Sequence, residues 1–174
     1  MEAVVIYRPA QESDTPRLLE LTAATGAFKP YEVEVLAEVL ADYHARSPDS
    51  QHTALIAECD GSIVGYAYYA PDIMTDGTWY LYWIAIDHTL HGRGLGSGLL
   101  KQVEQAVRAS EGRLLLIETS SLPSYHRTRM FYLKHGYQIA GVLRDFYHDG
   151  DSMVIFRKRL TGTDQDNYTP ETLR

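Results

Sequence analysis

Only one cysteine, Cys59, occurs in the 174 residues, which excludes an intrachain disulfide and a cysteine metal cluster and suits a reducing compartment. Long apolar runs are missing too. Stretches such as "LLLI" at 114–117 fall far short of the roughly eighteen residues that a bilayer span needs. The start, "MEAVVIYRPA", has no basic opening or small-residue cleavage site, so the chain is expected to be soluble and cytoplasmic, with no membrane partner. Positive charge is scarce: 16 Lys and Arg stand against 23 Asp and Glu, for a net charge of −7. Such a surface repels phosphate backbones, and no basic stripe interleaves with aromatics, so no nucleic-acid partner is expected. The seven histidines form no His-Glu-x-x-His pattern, and no metal site is expected. What remains is ordinary globular material, 45% hydrophobic and 22% charged, of a length that suits one domain.

Hydrophobic periodicity orders that material. "AVVIYRP" at 3–9 reads as a strand; Ser13 or Asp14 with Pro16 opens a helix, and Val33, Leu36, Val39, Leu40 and Tyr43 mark a second helix closed by "SPDS". Three strands come next, "TALIAEC", "IVGYAYYA" and "TWYLYWIAI", joined at Asp-Gly turns that suit antiparallel hairpins. A helix at about 95–110, the strand "RLLLIET", a helix at about 124–135 and two closing β segments complete the order β-α-α-β-β-β-α-β-α-β-β. Residues 1–160 are expected to form the domain and 161–174 a polar tail.

The segment "HGRGLGSG" at 91–98 places four alternating glycines before the helix at 95–110. Glycines permit positive φ and close approach, and a helix start offers free N–H groups with a partial positive charge, so the loop reads as an anion site. A dinucleotide fingerprint from Gly92 or Gly94 fails at Ser97 or Leu99, and a P-loop fails for want of Gly-Lys-Ser/Thr.

His91, Gly94 and Gly96, lying between a strand and a helix, resemble the pyrophosphate loop Gln/Arg-x-x-Gly-x-Gly/Ala of the GNAT superfamily of acyl-CoA-dependent N-acyltransferases. "MFYLKHGYQIAGV" at 130–142 is similar to that family's second motif, and the resemblance spans roughly residues 3–160. It implies an α+β fold with a mixed sheet of about seven strands, splayed between strands four and five and flanked by about four helices. It also implies acetyl-CoA as cosubstrate and the primary amine of a small molecule or peptide as acceptor. The pyrophosphate would lie over Gly92, Arg93, Gly94, Leu95, Gly96 and Ser97, with His91 at the loop's start, and Arg93 would also be within range of a 3′-phosphate. The pantetheine arm would pair with the backbone of Ile84, Ala85 and Ile86 as a surrogate strand.

By the same resemblance, Tyr132 protonates the departing sulfur, and Tyr125 stands where relatives carry a cofactor-contacting asparagine. The carboxylate that relatives often carry on strand four is replaced here by Tyr80, leaving Glu118, at the end of "LLLIET", as the base or as an ordinary strand-end charge. Tyr66, Tyr68, Tyr80 and Tyr82 alternate along two strands and read either as core or as an aromatic wall for the acceptor. Asp145, Phe146 and Tyr147 precede a turn that would bring them to the acceptor mouth. An acyl-CoA-binding module without turnover is the competing reading, and a homodimer is left open.

Overall fold

A computed structural model describes residues 4–46 and 51–163. Seven strands, β1 (Val5–Pro9), β2 (Thr53–Cys59), β3 (Ser62–Pro71), β4 (Thr78–Ile86), β5 (Leu114–Ser120), β6 (Gln138–His148) and β7 (Asp151–Arg159), form one sheet in the order β1-β2-β3-β4-β5-β7-β6. Four α-helices flank it: α1 (Thr15–Ala24), α2 (Pro30–Ala45), α3 (Leu95–Ala109) and α4 (His126–Lys134). The element order is the one the periodicity predicts. The first helix is preceded by a 3-10 turn, Glu12–Asp14, whose Asp14 accepts from the Gln11 N–H and pairs with Arg8 at 2.7 Å. The helix expected from about 124 likewise begins as a 3-10 turn, Pro123–Tyr125. The "SPDS" closure and the tail from residue 164 onward lie outside the described residues.

Apolar periodicity builds two layers. α1 and α2 bring Leu18, Leu36 and Leu40 onto one sheet face, against Ala54, Ile56, Tyr66 and Tyr68. On the other face, Leu99, Leu100, Val103 and Val107 of α3 pack with Tyr69, Trp79, Leu81 and Leu115, and Tyr132 of α4 joins them beside Phe156. Each fully buried aliphatic side chain contributes on the order of 1.5–3 kcal/mol, so these faces orient all four helices. No helix among the described residues is long and apolar enough to cross a membrane.

Two features of the sheet that bear on the site fall on β4, apart from register shifts in the β2–β3 and β6–β7 pairs. All neighbouring strands are antiparallel except β4 and β5, which pair in parallel from Thr78↔Leu114 to Leu81↔Ile117 and no further. Beyond Leu81 the two strands part, leaving one edge of Tyr82–Ile86 without a strand partner among the described residues. In the β3–β4 register Tyr69 faces Leu81 and Tyr68 faces Trp83, so Tyr82 is the extra residue of a β-bulge.

Candidate active site

The loop after β4 uses its glycines in three different ways. Gly92 (φ 82°) and Gly94 (φ 80°) occupy the left-handed region, and Gly94 is the N-cap of α3. A Cβ at Gly94 would meet nothing within 4 Å, so that side faces open space. Gly96 faces inward: a Cβ there would touch Ile86 and the Phe131 ring at 3.6 Å, an ordinary contact. Gly98 makes room for Tyr7, whose hydroxyl an added Cβ would overlap. The first intrahelical bond runs from the Gly98 N–H to the Gly94 carbonyl at 2.9 Å, which leaves the N–H groups of Leu95, Gly96 and Ser97 without helical acceptors.

Two histidines brace this turn. His91 directs Nε2 to the Ile86 carbonyl at 3.2 Å, so its ring ties the loop to the end of β4. His135 places Nδ1 2.7 Å from the Phe131 carbonyl, which makes Nδ1 a donor; a neutral ring then accepts from the Ser97 hydroxyl at Nε2, 2.9 Å away. Sequence reasoning missed His135, because its partner is distant in the chain and no motif marks the pair. Arg93 is exposed beside the free N–H groups. The unpaired β4 edge thus runs directly into a preformed anion turn, and both parts fit a long, peptide-like ligand ending in phosphates.

Tyr132 stands on the α3 side of the parting. Its ring packs against Phe131, Tyr137 and Phe156, with centroids 5.5, 5.7 and 5.5 Å away. Phe156 faces Ile117, the last β5 residue that pairs with β4, so the tyrosine is held at the point where the sheet opens. Burial pushes its phenol above the ordinary tyrosine value, and the hydroxyl stays protonated at any physiological pH.

Glu118, one residue past the last β4–β5 pair, lies on the other face and is exposed. Partial burial pushes its carboxyl above the usual range, and among the described residues none hydrogen-bonds or ion-pairs with it. Its charge bears on Tyr80, Tyr82 and Tyr147 and raises all three phenols. The four alternating tyrosines therefore divide. Tyr66 is core, bonded to Thr22, and Tyr68 is buried against His52, whereas Tyr80 and Tyr82 stack at 5.7 Å beside the carboxylate. Because no ion pair is lost, Glu118→Gln is expected to leave the melting temperature at pH 7 unchanged or higher. The sign comes from the raised folded-state pKa, which makes the ionised form a cost to folding that grows as pH rises; a melt that falls would assign Glu118 a structural role.

Tyr125 donates to the Ala27 carbonyl, which clips the turn before α4 to the loop between α1 and α2, and its phenol is pushed up to about 12 chiefly by burial. Tyr147 reaches the Glu118 region, but Asp145 closes the β6–β7 turn by accepting from the Gly150 N–H at 2.8 Å. Buried Asp151 accepts from Ser120 and so fixes the end of β5. A groove of about 580 Å³ lined by Leu114, Leu116, Ile155 and Arg157 adjoins the paired part of β5 and contains neither Tyr132 nor the glycine turn.

Comparison with known proteins places the chain in a family. The profile of the acetyltransferase (GNAT) domain matches residues 50–139. A protein of Desulfovibrio desulfuricans assigned to the GNAT family is 36% identical, with 91% of this chain and 100% of that one superposed at a TM-score of 0.83. An uncharacterised N-acetyltransferase of Methanocaldococcus jannaschii is 28% identical over 105 residues, 60% of this chain; the match spans only 64% of that relative's length. A Salmonella typhimurium chain solved with acetyl-CoA as its cofactor shares the fold, with a TM-score of 0.71 at 15% identity over 95% of this chain and 99% of that one.

Proposed function

The chain belongs to the GNAT acetyltransferase family and is an acyltransferase enzyme; from that premise we propose that it moves the acetyl group of acetyl-CoA to a primary amine at the parting of β4 and β5. The observation that carries the reading is the end of β4–β5 pairing at Leu81 and Ile117, just before the glycine turn. Ile84, Ala85 and Ile86 offer backbone groups to the pantetheine arm. The N–H groups of Leu95, Gly96 and Ser97, with Arg93, receive the pyrophosphate. His91 and His135 act as braces for that turn rather than as phosphate ligands.

Acetyl-CoA supplies an activated thioester. As the amine nitrogen bonds to the acetyl carbon, the carbon–sulfur bond breaks; one proton leaves the nitrogen and one reaches the sulfur. Glu118 takes the first, directly or through a water, from the face opposite α3. Burial raises its pKa, which makes it a better base than an ordinary carboxylate. Tyr132 donates to the sulfur from the α3 side. The apolar surroundings that raise the phenol also raise a thiolate formed there, so the thiolate needs a donor close by. Tyr80, which occupies the position of the base in many relatives, is kept protonated by burial and by the Glu118 charge.

The test is incubation with acetyl-CoA and a panel of primary amines, following free thiol and acetylated amine together. Both should appear in equal amounts; bound CoA without thiol release for any amine would support the module without turnover. With an active amine, Glu118→Gln should slow transfer at least tenfold near pH 7 and recover part of the loss at higher pH, where free amine is abundant. An equal loss at every pH would reassign Glu118 from proton removal to positioning.

A further inference from the structure

Tyr82 is an aromatic side chain that packing alone does not explain. It is 50% exposed, sits on the bulge where β4 leaves β5, and has no partner across β3. Its ring is nevertheless held in place. Tyr80 stacks on it at 5.7 Å with planes 24° apart, and Tyr68 and Trp83 flank it at 6.1 and 6.2 Å. The charged groups bearing on Tyr80 and Tyr82 are the carboxylates of Glu118 and Asp72, and those bearing on Tyr147 are Glu118, Asp151 and Glu32. No cation is among them. Arg46 bears on the flanking Tyr68 but not on Tyr80 or Tyr82, and a fixed, open aromatic pair on which only carboxylates bear attracts a cation through the ring quadrupole and through charge.

That cation is not the reacting nitrogen. An amine must lose its proton before it can attack, and a cation-stabilising wall raises the pKa of whatever ammonium it holds. Deprotonation by Glu118 and cation retention by the tyrosine pair are opposed demands on one nitrogen, and both are met only if the acceptor has two. We propose that Tyr82 and Tyr80 hold a second centre of the acceptor that stays protonated, and that the enzyme therefore selects amines carrying two cationic groups. This rests on the reading of Glu118 as base. The shared chemistry has two sources, a free alkyl diamine or a peptide amine next to a lysine side chain.

The experiment compares matched acceptors of similar length with one or two charges: 1,4-diaminobutane against 1-aminopentane, and glycyl-lysinamide against glycyl-norleucinamide. For the wild-type protein, kcat/KM should favour the dication about tenfold or more in at least one pair, and the responding pair identifies the source. Tyr82→Leu should bring that ratio to near one, while Tyr82→Phe, which keeps a ring, should retain most of it. If Tyr82→Leu does not fold, Tyr80→Leu takes its place. The same pairs are titrated calorimetrically onto the CoA-bound protein. A dication preference in binding without transfer would uphold the tyrosine pair as a cation site and overturn the reading of Glu118 as base. Equal use and equal binding of both members of both pairs, or a ratio untouched by loss of the ring, would overturn the proposal.

Discussion

Tyr132→Phe is expected to slow acetyl transfer on the order of a hundredfold or more, with the fold and most of the CoA affinity intact. The substitution removes one oxygen from a ring held by Phe131, Tyr137 and Phe156, and those contacts persist with phenylalanine. Among the described residues none hydrogen-bonds to that hydroxyl, so its loss leaves no buried protein group unpaired. Stability should change little, and the effect should appear in kcat more than in KM. Single-turnover rates of thiol release measure it where chemistry limits turnover. A rate within a fewfold of wild type would remove Tyr132 from the reaction.

The second large effect concerns cofactor affinity. Gly94→Val should weaken CoA binding tenfold or more, because Gly94 has φ 80° and a non-glycine residue costs roughly 1–2 kcal/mol there, more with a branched Cβ. The added side chain would also stand on the open side of the turn, in the path of an approaching phosphate. Gly96→Ala provides the contrast. Its Cβ points inward to ordinary contacts at 3.6 Å, so affinity should remain within about threefold of wild type. Calorimetric titration of CoA onto both proteins, with circular dichroism to confirm folding, checks the pair; equal losses would place the phosphates elsewhere.

Much of the fold was legible because its signals are local. Asp-Gly turns separated β2, β3 and β4, and Leu99, Leu100, Val103 and Val107 recur at the spacing of a buried helix face. The glycine turn was legible as a turn, although spacing alone did not distinguish the left-handed Gly94 from the packed Gly96 and Gly98. The rest depended on register. "TWYLYWIAI" is apolar at almost every position, so the bulge that sets Tyr82 apart from Trp83 has no mark in the sequence. The paths from His135 to Ser97 and from Tyr125 to Ala27 join residues 38 and 98 positions apart, and only packing brings them together. The place of Glu118, one residue past the point where β5 parts from β4, depends on that register and has no mark in the sequence.

Acetyl transfer at the parting of β4 and β5 is tested most directly by a crystal structure of the protein with bound CoA. The pantetheine amides should pair with the backbone of Ile84–Ile86, the pyrophosphate should rest against the N–H groups of residues 95–97, and the sulfur should lie within about 3.5 Å of the Tyr132 hydroxyl. Glu118 should then face the sulfur from across the opening between β4 and β5. A cofactor bound elsewhere, or a sulfur out of reach of Tyr132 with the β4 edge still unpaired, would contradict that site.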